Sequence, residues 1–133
     1  MADITTEVLI IGTGPAGSVA AALLSSYGIE NVAINRYHWL ANTPRAHITN
    51  QRTMEGLRDL GKEVEDEVYL NAMDQSIMGE NVFCESLAGE EIGRMKSWGT
   101  HPLSKAEHML SSPTFMNDLP QTFMEPILFK PAC

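Results

Sequence analysis

A glycine-rich turn between an aliphatic run and a helical pattern is the feature that most constrains the fold of this chain. Residues 8–11 read Val-Leu-Ile-Ile, which is typical of a strand buried on both faces of a parallel sheet. The turn that follows consists of Gly12, Thr13, Gly14, Pro15, Ala16 and Gly17. Over residues 15–27 the apolar side chains recur at helical spacing, and Gly28 is placed to end the helix. A second strand is predicted over residues 31–35, so residues 7–36 should form a βαβ unit with a parallel strand pair.

The G-x-G-x-x-G spacing of this turn predicts a site for the pyrophosphate of a dinucleotide. Gly12 permits the tight turn, Gly14 lets the ligand approach the backbone, and Gly17 lets the helix pack close to the strand. The phosphates would bind free N–H groups at the start of the helix. All six residues of the turn are therefore candidate cofactor-binding residues. A glycine-rich strand-to-helix turn that binds no ligand is the alternative interpretation.

The end of the second strand carries Asn35 and Arg36, where a dinucleotide-binding fold usually has an acidic residue for the ribose. Asparagine can donate and accept hydrogen bonds, but it lacks the charge of a carboxylate. An arginine at this point would suit the 2′-phosphate of NADP in an ordinary Rossmann dehydrogenase. Both residues are candidate cofactor-binding residues, and on their own they leave the choice of nucleotide open.

The rest of the chain predicts a mixture of helices, a hairpin and one long loop-rich stretch. The predicted elements are an irregular loop over 41–47, a helix over 49–60, a short helix starting near 63–67, a hairpin over 81–95, and a final helix over 121–130. Residues 96–120 contain three prolines and several serines, which favours a loop-rich connection. Pro126 predicts that the final helix is distorted or starts late. The fold class is therefore α/β, with a partial Rossmann-like domain, a β-hairpin and a loop-rich insertion.

Charge and composition exclude several classes of protein. Among 133 residues, 9 are Lys or Arg and 17 are Asp or Glu, which gives a net charge of −8. This balance argues against a nucleic acid or an anionic membrane surface as partner. Asp3 and Glu7 precede an apolar run far shorter than the roughly 20 residues of a membrane span, so we expect a cytoplasmic protein. Cys84 and Cys133 are then expected to be reduced thiols, and no histidine pattern predicts a metal site.

Four short motifs together resemble the phenol-type branch of the FAD-dependent aromatic hydroxylases. They are the turn of residues 12–17, Asn35-Arg36, Pro44-Arg45-Ala46-His47, and Leu119-Pro120-Gln121. The resemblance covers the whole chain and implies a Rossmann-like FAD-binding domain. Asn35 departs from the acidic ribose ligand that is usual in the wider family. Members of the family are several times longer, so the resemblance implies that residues 1–133 are an amino-terminal fragment of an FAD-binding domain.

The function implied by this resemblance is hydroxylation of a phenol or chlorophenol ortho to its hydroxyl, which gives a catechol. The reaction would use NADPH and O2 and proceed through an FAD C4a-hydroperoxide. Activity is expected of the intact protein, not of the fragment alone, and assembly into a homo-oligomer is left open. Two alternatives remain: another FAD-dependent oxidoreductase that shares the turn, or a non-catalytic dinucleotide-binding module.

The resemblance also implies roles for individual residues. Arg45 and Gln121 match positions that contact the flavin cofactor, and a guanidinium suits a phosphate or a flavin carbonyl. Alternatively, Arg45 is a solvent-facing loop residue and Gln121 only begins a helix.

His47 and Asp118 are the candidate catalytic residues. Hydroxylation of a phenol is an electrophilic attack that is faster on a phenolate, so a base near the substrate hydroxyl is useful. His47 matches a substrate-side acidic position of the family, and an imidazole can take up such a proton. Asp118 could orient His47 or relay its proton. The alternatives are a histidine bonded to backbone and an aspartate at a turn or helix N-cap.

Overall fold

The computed structural model describes residues 3–43 and 45–132, so Pro44 and Cys133 lie outside the described residues. Strands β1 (Val8–Ile11) and β2 (Asn31–Ile34) are parallel, with Val8 opposite Asn31 and Ile11 opposite Ile34. Helix α1 (Pro15–Ser26) connects them. The predicted βαβ unit is therefore confirmed.

One part of the prediction for β1 was wrong, because this strand is buried on one face only. Leu9 is 55% exposed and Ile11 is 81% exposed, whereas Val8 and Ile10 are half-buried. Helix α1 packs against the Ile10 side of the strand. The aliphatic run was a correct signal for a parallel strand, but the described residues cover only one of its two apolar faces.

Within the described residues, the remaining elements form two small antiparallel pairs and four helices, besides a short 3-10 turn at Gln75–Ile77. In chain order they are β3 (Ile48–Thr49), α2 (Gln51–Asp59), α3 (Lys62–Asn71), β4 (Asn81–Cys84), β5 (Glu91–Met95), α4 (Pro102–Ser111), β6 (Asn117–Asp118) and α5 (Gln121–Ala132). Strand β3 pairs with β6, and β4 pairs with β5 as the predicted hairpin. The thiol of Cys84, on β4, is free and exposed.

The prediction of a loop-rich stretch over residues 96–120 was wrong, because α4 and β6 lie within it. Pro102 occupies the first turn of α4, where its missing N–H costs nothing. The His101 imidazole accepts a hydrogen bond from the N–H of Leu103 and so caps this helix. Helix α5 begins at Gln121 and passes through Pro126 without ending there.

The core lies between α2, α3 and α5. Its buried members are Met54, Leu57, Val64, Val68, Leu119, Met124, Ile127 and Leu128. Helix α5 also packs along α1, so it joins this core to the βαβ unit. No helix within the described residues is long and apolar enough to cross a membrane.

Candidate functional site

The glycine-rich turn needs glycine at two of its positions. Gly12 has a φ of +108°, which other residues rarely adopt, and its N–H donates to the Ile34 carbonyl at 2.7 Å. A Cβ at Gly17 would lie 1.9 Å from the Gly12 carbonyl oxygen and 3.4 Å from Ile10 Cγ2. Any side chain at Gly17 would therefore push α1 away from β1.

The same turn leaves the first backbone amides of α1 uncapped. Gly14 is the N-cap residue and has no side chain that could bind them. The hydroxyl of buried Ser18 donates to the Thr13 carbonyl at 3.0 Å, which ties that carbonyl to the helix. The free polar groups at this point are therefore N–H donors, the arrangement that binds phosphate oxygens.

An open cleft of about 630 Å³ lies beside this turn. Five of the predicted cofactor-binding residues line it, namely Thr13, Gly14, Asn35, Arg45 and Gln121. The others are not part of its lining, namely Gly12, Pro15, Ala16, Gly17 and Arg36. Gly12 and Gly17 contact each other within the turn and so determine its shape without lining the cleft. Arg36 is exposed outside the cleft.

The segment of residues 37–43 forms a second wall of the cleft, although none of the predicted site residues lies in it. Trp39 is 82% exposed and Tyr37 is 69% exposed, although both line the cleft. The sequence does contain a signal for this surface. Two aromatic residues follow directly after the second strand of a unit that contains a phosphate-binding turn.

Glu125 is the other cleft residue that the sequence analysis missed. It lies on α5 and is only 3% exposed. Its Oε1 accepts a hydrogen bond from Gln121 Nε2 at 2.5 Å, and its Oε2 accepts one from the Ala41 N–H at 2.6 Å. This carboxylate therefore joins α5 to the segment of residues 37–43.

His47 and Asp118 form a pair outside the cleft lining. His47 Nδ1 lies 2.9 Å from Asp118 Oδ1, and the His47 side chain is 58% exposed while that of Asp118 is 16% exposed. Asp118 belongs to β6 and not to a helix N-cap. A carboxylate can only accept from Nδ1, so in the neutral form of the imidazole Nε2 is the nitrogen with the free lone pair.

A short antiparallel ladder joins this pair to the cleft. The Leu119 N–H donates to the His47 carbonyl at 2.7 Å, and the Gln121 N–H donates to the Ala46 carbonyl at 2.8 Å. Strands β3 and β6 continue this ladder on the far side of His47. One end of this ladder carries Arg45 and Gln121, which line the cleft. The other end carries His47 and Asp118, which form the pair.

The parallel βαβ unit, the uncapped helix start and the adjoining cleft together define a Rossmann-like dinucleotide-binding domain. Within residues 3–43 and 45–132, no three His, Cys, Asp or Glu side chains are grouped to hold a metal ion. The chain belongs to the FAD binding domain family, whose sequence model matches residues 5–133.

Comparison with individual proteins confirms the predicted resemblance to the phenol-type hydroxylases. Phenol 2-monooxygenase of Pseudomonas sp. (strain EST1001) and 2,4-dichlorophenol 6-monooxygenase of Cupriavidus pinatubonensis (strain JMP 134 / LMG 1197) are each 57% identical over 97% of this chain. The chain spans about 21% of the length of these curated relatives. The crystal structure of the flavin-dependent monooxygenase PieE in complex with FAD and substrate has a TM-score of 0.87 at 42% identity. That match covers 99% of this chain and 22% of the PieE chain, so the predicted fold class is confirmed.

Proposed function

We propose that the natural polypeptide carrying this chain is an FAD-dependent monooxygenase that hydroxylates a phenol or a chlorophenol. The observation that carries the proposal is the ladder that joins a dinucleotide cleft to a histidine–aspartate pair. The names of the two relatives at 57% identity support the substrate class.

The residues of the cleft fit FAD. Gly14 is open toward it, since a Cβ there would have only Glu125 Oε1 within 4 Å, at 3.9 Å. The pyrophosphate would bind the amides at the start of α1, while Asn35 would bind the ribose and Arg45 a phosphate or flavin oxygen. FAD, when bound, supplies the redox chemistry that activates O2.

His47 would act as the base toward the substrate hydroxyl. Its Nε2 can accept the phenol proton while Asp118 holds the Nδ1 proton and stabilises the resulting imidazolium. Removing this proton gives the ring phenolate character, which favours electrophilic attack. The exposure of His47 leaves space for a substrate beside the ring.

Further details belong to the same proposal. NADPH would be the electron donor, O2 the oxidant, and the position ortho to the hydroxyl the site of attack, which gives a catechol. A cytoplasmic location belongs to the same proposal. Another FAD-dependent oxidoreductase and a non-catalytic module are the competing functions.

We also propose that residues 1–133 are the amino-terminal part of a longer FAD-binding domain. Leu9, Ile11 and Ile34 leave an apolar face of the two-stranded sheet exposed. A two-stranded sheet with such a face needs further strands or helices over it for stability. The share of the relatives' length that the chain spans supports this reading.

A matched pair of glycine substitutions tests FAD binding in the natural polypeptide. Gly14→Val directs a branched side chain toward the cleft, where the turn itself has room for it. Gly93→Val makes the same change on β5, where a Cβ meets nothing within 4 Å. We expect the FAD dissociation constant to rise by about 100-fold, close to 3 kcal/mol, in Gly14→Val.

Fluorescence titration of the apo-protein with FAD measures both variants. The proposal predicts that Gly93→Val binds FAD as the wild type does. Retention of wild-type affinity by a folded Gly14→Val variant would show that FAD does not bind at this turn.

A further inference from the structure

We propose that Glu125 is a positioning residue that sets the direction of the Gln121 amide in the cofactor cleft. This inference rests on the proposed binding of FAD. It assigns to Gln121 Oε1 the role of a hydrogen-bond acceptor toward a hydroxyl or N–H donor of FAD. The sequence offers no direct signal for it, because the partners of Glu125 are a residue one helical turn away and a loop amide 84 positions earlier.

Glu125 is buried, and its side chain is hydrogen-bonded within the chain. The side chain is 97% buried, and both of its oxygens already accept hydrogen bonds from this chain. A buried carboxylate without partners would be costly, so these two donors account for its presence in the wall of the cleft. Glu125 is therefore a structural link within the site.

The chemistry of the two groups fixes the direction of the amide. A carboxylate has no hydrogen to donate, so it must face the NH2 group of Gln121 and not its oxygen. Because the amide is planar, Gln121 Oε1 then points away from Glu125. No residue that the structure describes donates to Oε1, and Gln121 lines the cleft. The Oε1 atom left for a ligand is thus an acceptor, which phosphate oxygens cannot satisfy, while the second hydrogen of the Gln121 NH2 group stays a donor.

The second oxygen of Glu125 holds the opposite wall. Its bond to the Ala41 N–H ties the segment of residues 37–43 to α5. The distance between the two walls of the cleft is therefore fixed. A side chain at position 125 that accepts from Ala41 but donates to residue 121 would keep this link. It would reverse only the direction of the Gln121 amide. This separates the orienting role from a merely structural one.

Two variants of the natural polypeptide make that separation. In Glu125→Gln, the new amide oxygen can still accept from Ala41. The new NH2 group then faces residue 121, so Gln121 must turn its own oxygen toward residue 125 and away from the cleft. The double variant Gln121→Glu/Glu125→Gln exchanges the two groups, which restores an acceptor oxygen to the cleft. Glu107→Gln, on the exposed surface of α4, is the control.

The dissociation constant of FAD, measured by fluorescence titration of the apo-proteins, is the readout. We expect Glu125→Gln to weaken binding about 10-fold, which corresponds to one lost hydrogen bond, and the double variant to return within about 3-fold of wild type. Glu107→Gln should bind as the wild type does. Unchanged affinity in Glu125→Gln, or a folded double variant no better than Glu125→Gln, overturns the role of Glu125 alone. A wild-type polypeptide that binds no FAD overturns the proposed function as well.

Discussion

His47 and Asp118 are 71 positions apart in the chain, yet His47 Nδ1 lies 2.9 Å from Asp118 Oδ1 at the start of the β3–β6 pairing. No residue that the structure describes bonds Nε2 of the more exposed histidine, and the less exposed aspartate holds the other ring nitrogen. Fixing the tautomer in this way is what a general base requires of its partner. This geometry supports the proposal that the pair exchanges a proton with a ligand on the histidine side.

Replacing the histidine should slow hydroxylation without releasing FAD. We expect His47→Ala to lower the turnover of phenol by about 100-fold or more, because the substrate proton loses its acceptor. The loss should be smaller with a dichlorophenol, because chlorine substituents make the hydroxyl more acidic. Steady-state product formation with the two substrates measures this, and equal losses with both would contradict a role as base.

Replacing the aspartate should have a smaller effect of the same kind. Asp118→Asn keeps the size of the side chain but removes the charge that stabilises a protonated His47, so we expect turnover to fall by about 10-fold or more. Asp59→Asn, on the exposed end of α2, is the matched control and should be neutral. If both variants turn over phenol at the wild-type rate, Asp118 has no part in the reaction.

Two glycine-to-alanine substitutions should change stability in opposite directions. Gly17→Ala places a Cβ 1.9 Å from the Gly12 carbonyl, so we expect it to destabilise the apo-protein by about 1–3 kcal/mol. Gly56→Ala lies inside α2 with nothing within 4 Å, and should stabilise it by about 0.5–1 kcal/mol. Urea unfolding measures both changes. A neutral Gly17→Ala would mean that α1 does not pack this closely on β1.

Tyr69 should make the fold sensitive to alkaline pH. Burial raises the pKa of its hydroxyl above the ordinary value of 10.0. Above about pH 10 the unfolded chain has lost a proton that folded Tyr69 keeps, so the free energy of unfolding should fall as pH rises through this range. Tyr69→Phe should remove that part of the slope. Urea unfolding at several pH values between about 8 and 11 measures it.

At neutral pH the same substitution should be destabilising. Tyr69 Oη donates to the Phe115 carbonyl at 3.1 Å and accepts from the Phe115 N–H at 2.7 Å. Losing both bonds should cost about 1–3 kcal/mol. Tyr27→Phe removes a hydroxyl from a side chain that is 74% exposed, and serves as a neutral control. A Tyr69→Phe protein as stable as this control would rule out the two bonds.

The sequence was sufficient for the parts of the fold that depend on local patterns. The strand-turn-helix-strand order of residues 7–36 and the hairpin over 81–95 are confirmed because periodicity and glycine placement are local signals. The pairing of His47 with Asp118 was foreseen only through the resemblance to a family, since no spacing rule joins residues this far apart.

The remaining features depend on contacts between distant segments. Strands β3 and β6 have two residues each, which is too short for any alternation to be visible. The sequence does not reveal helix α4, because Pro102 suits a loop as well as the first turn of a helix, where the structure places it. In the sequence, Glu125 is one more polar residue of a helix, because its hydrogen bond to the Ala41 N–H forms only in the folded chain.

Product analysis of the natural polypeptide tests the central claim most directly. The purified protein with FAD is given NADPH, 2,4-dichlorophenol and isotopically labelled O2, and the organic product is identified by mass spectrometry. We predict a dichlorocatechol that carries one labelled oxygen ortho to the original hydroxyl. Oxidation of NADPH that leaves the phenol unchanged, or binding of FAD with no oxidation of NADPH, would contradict it.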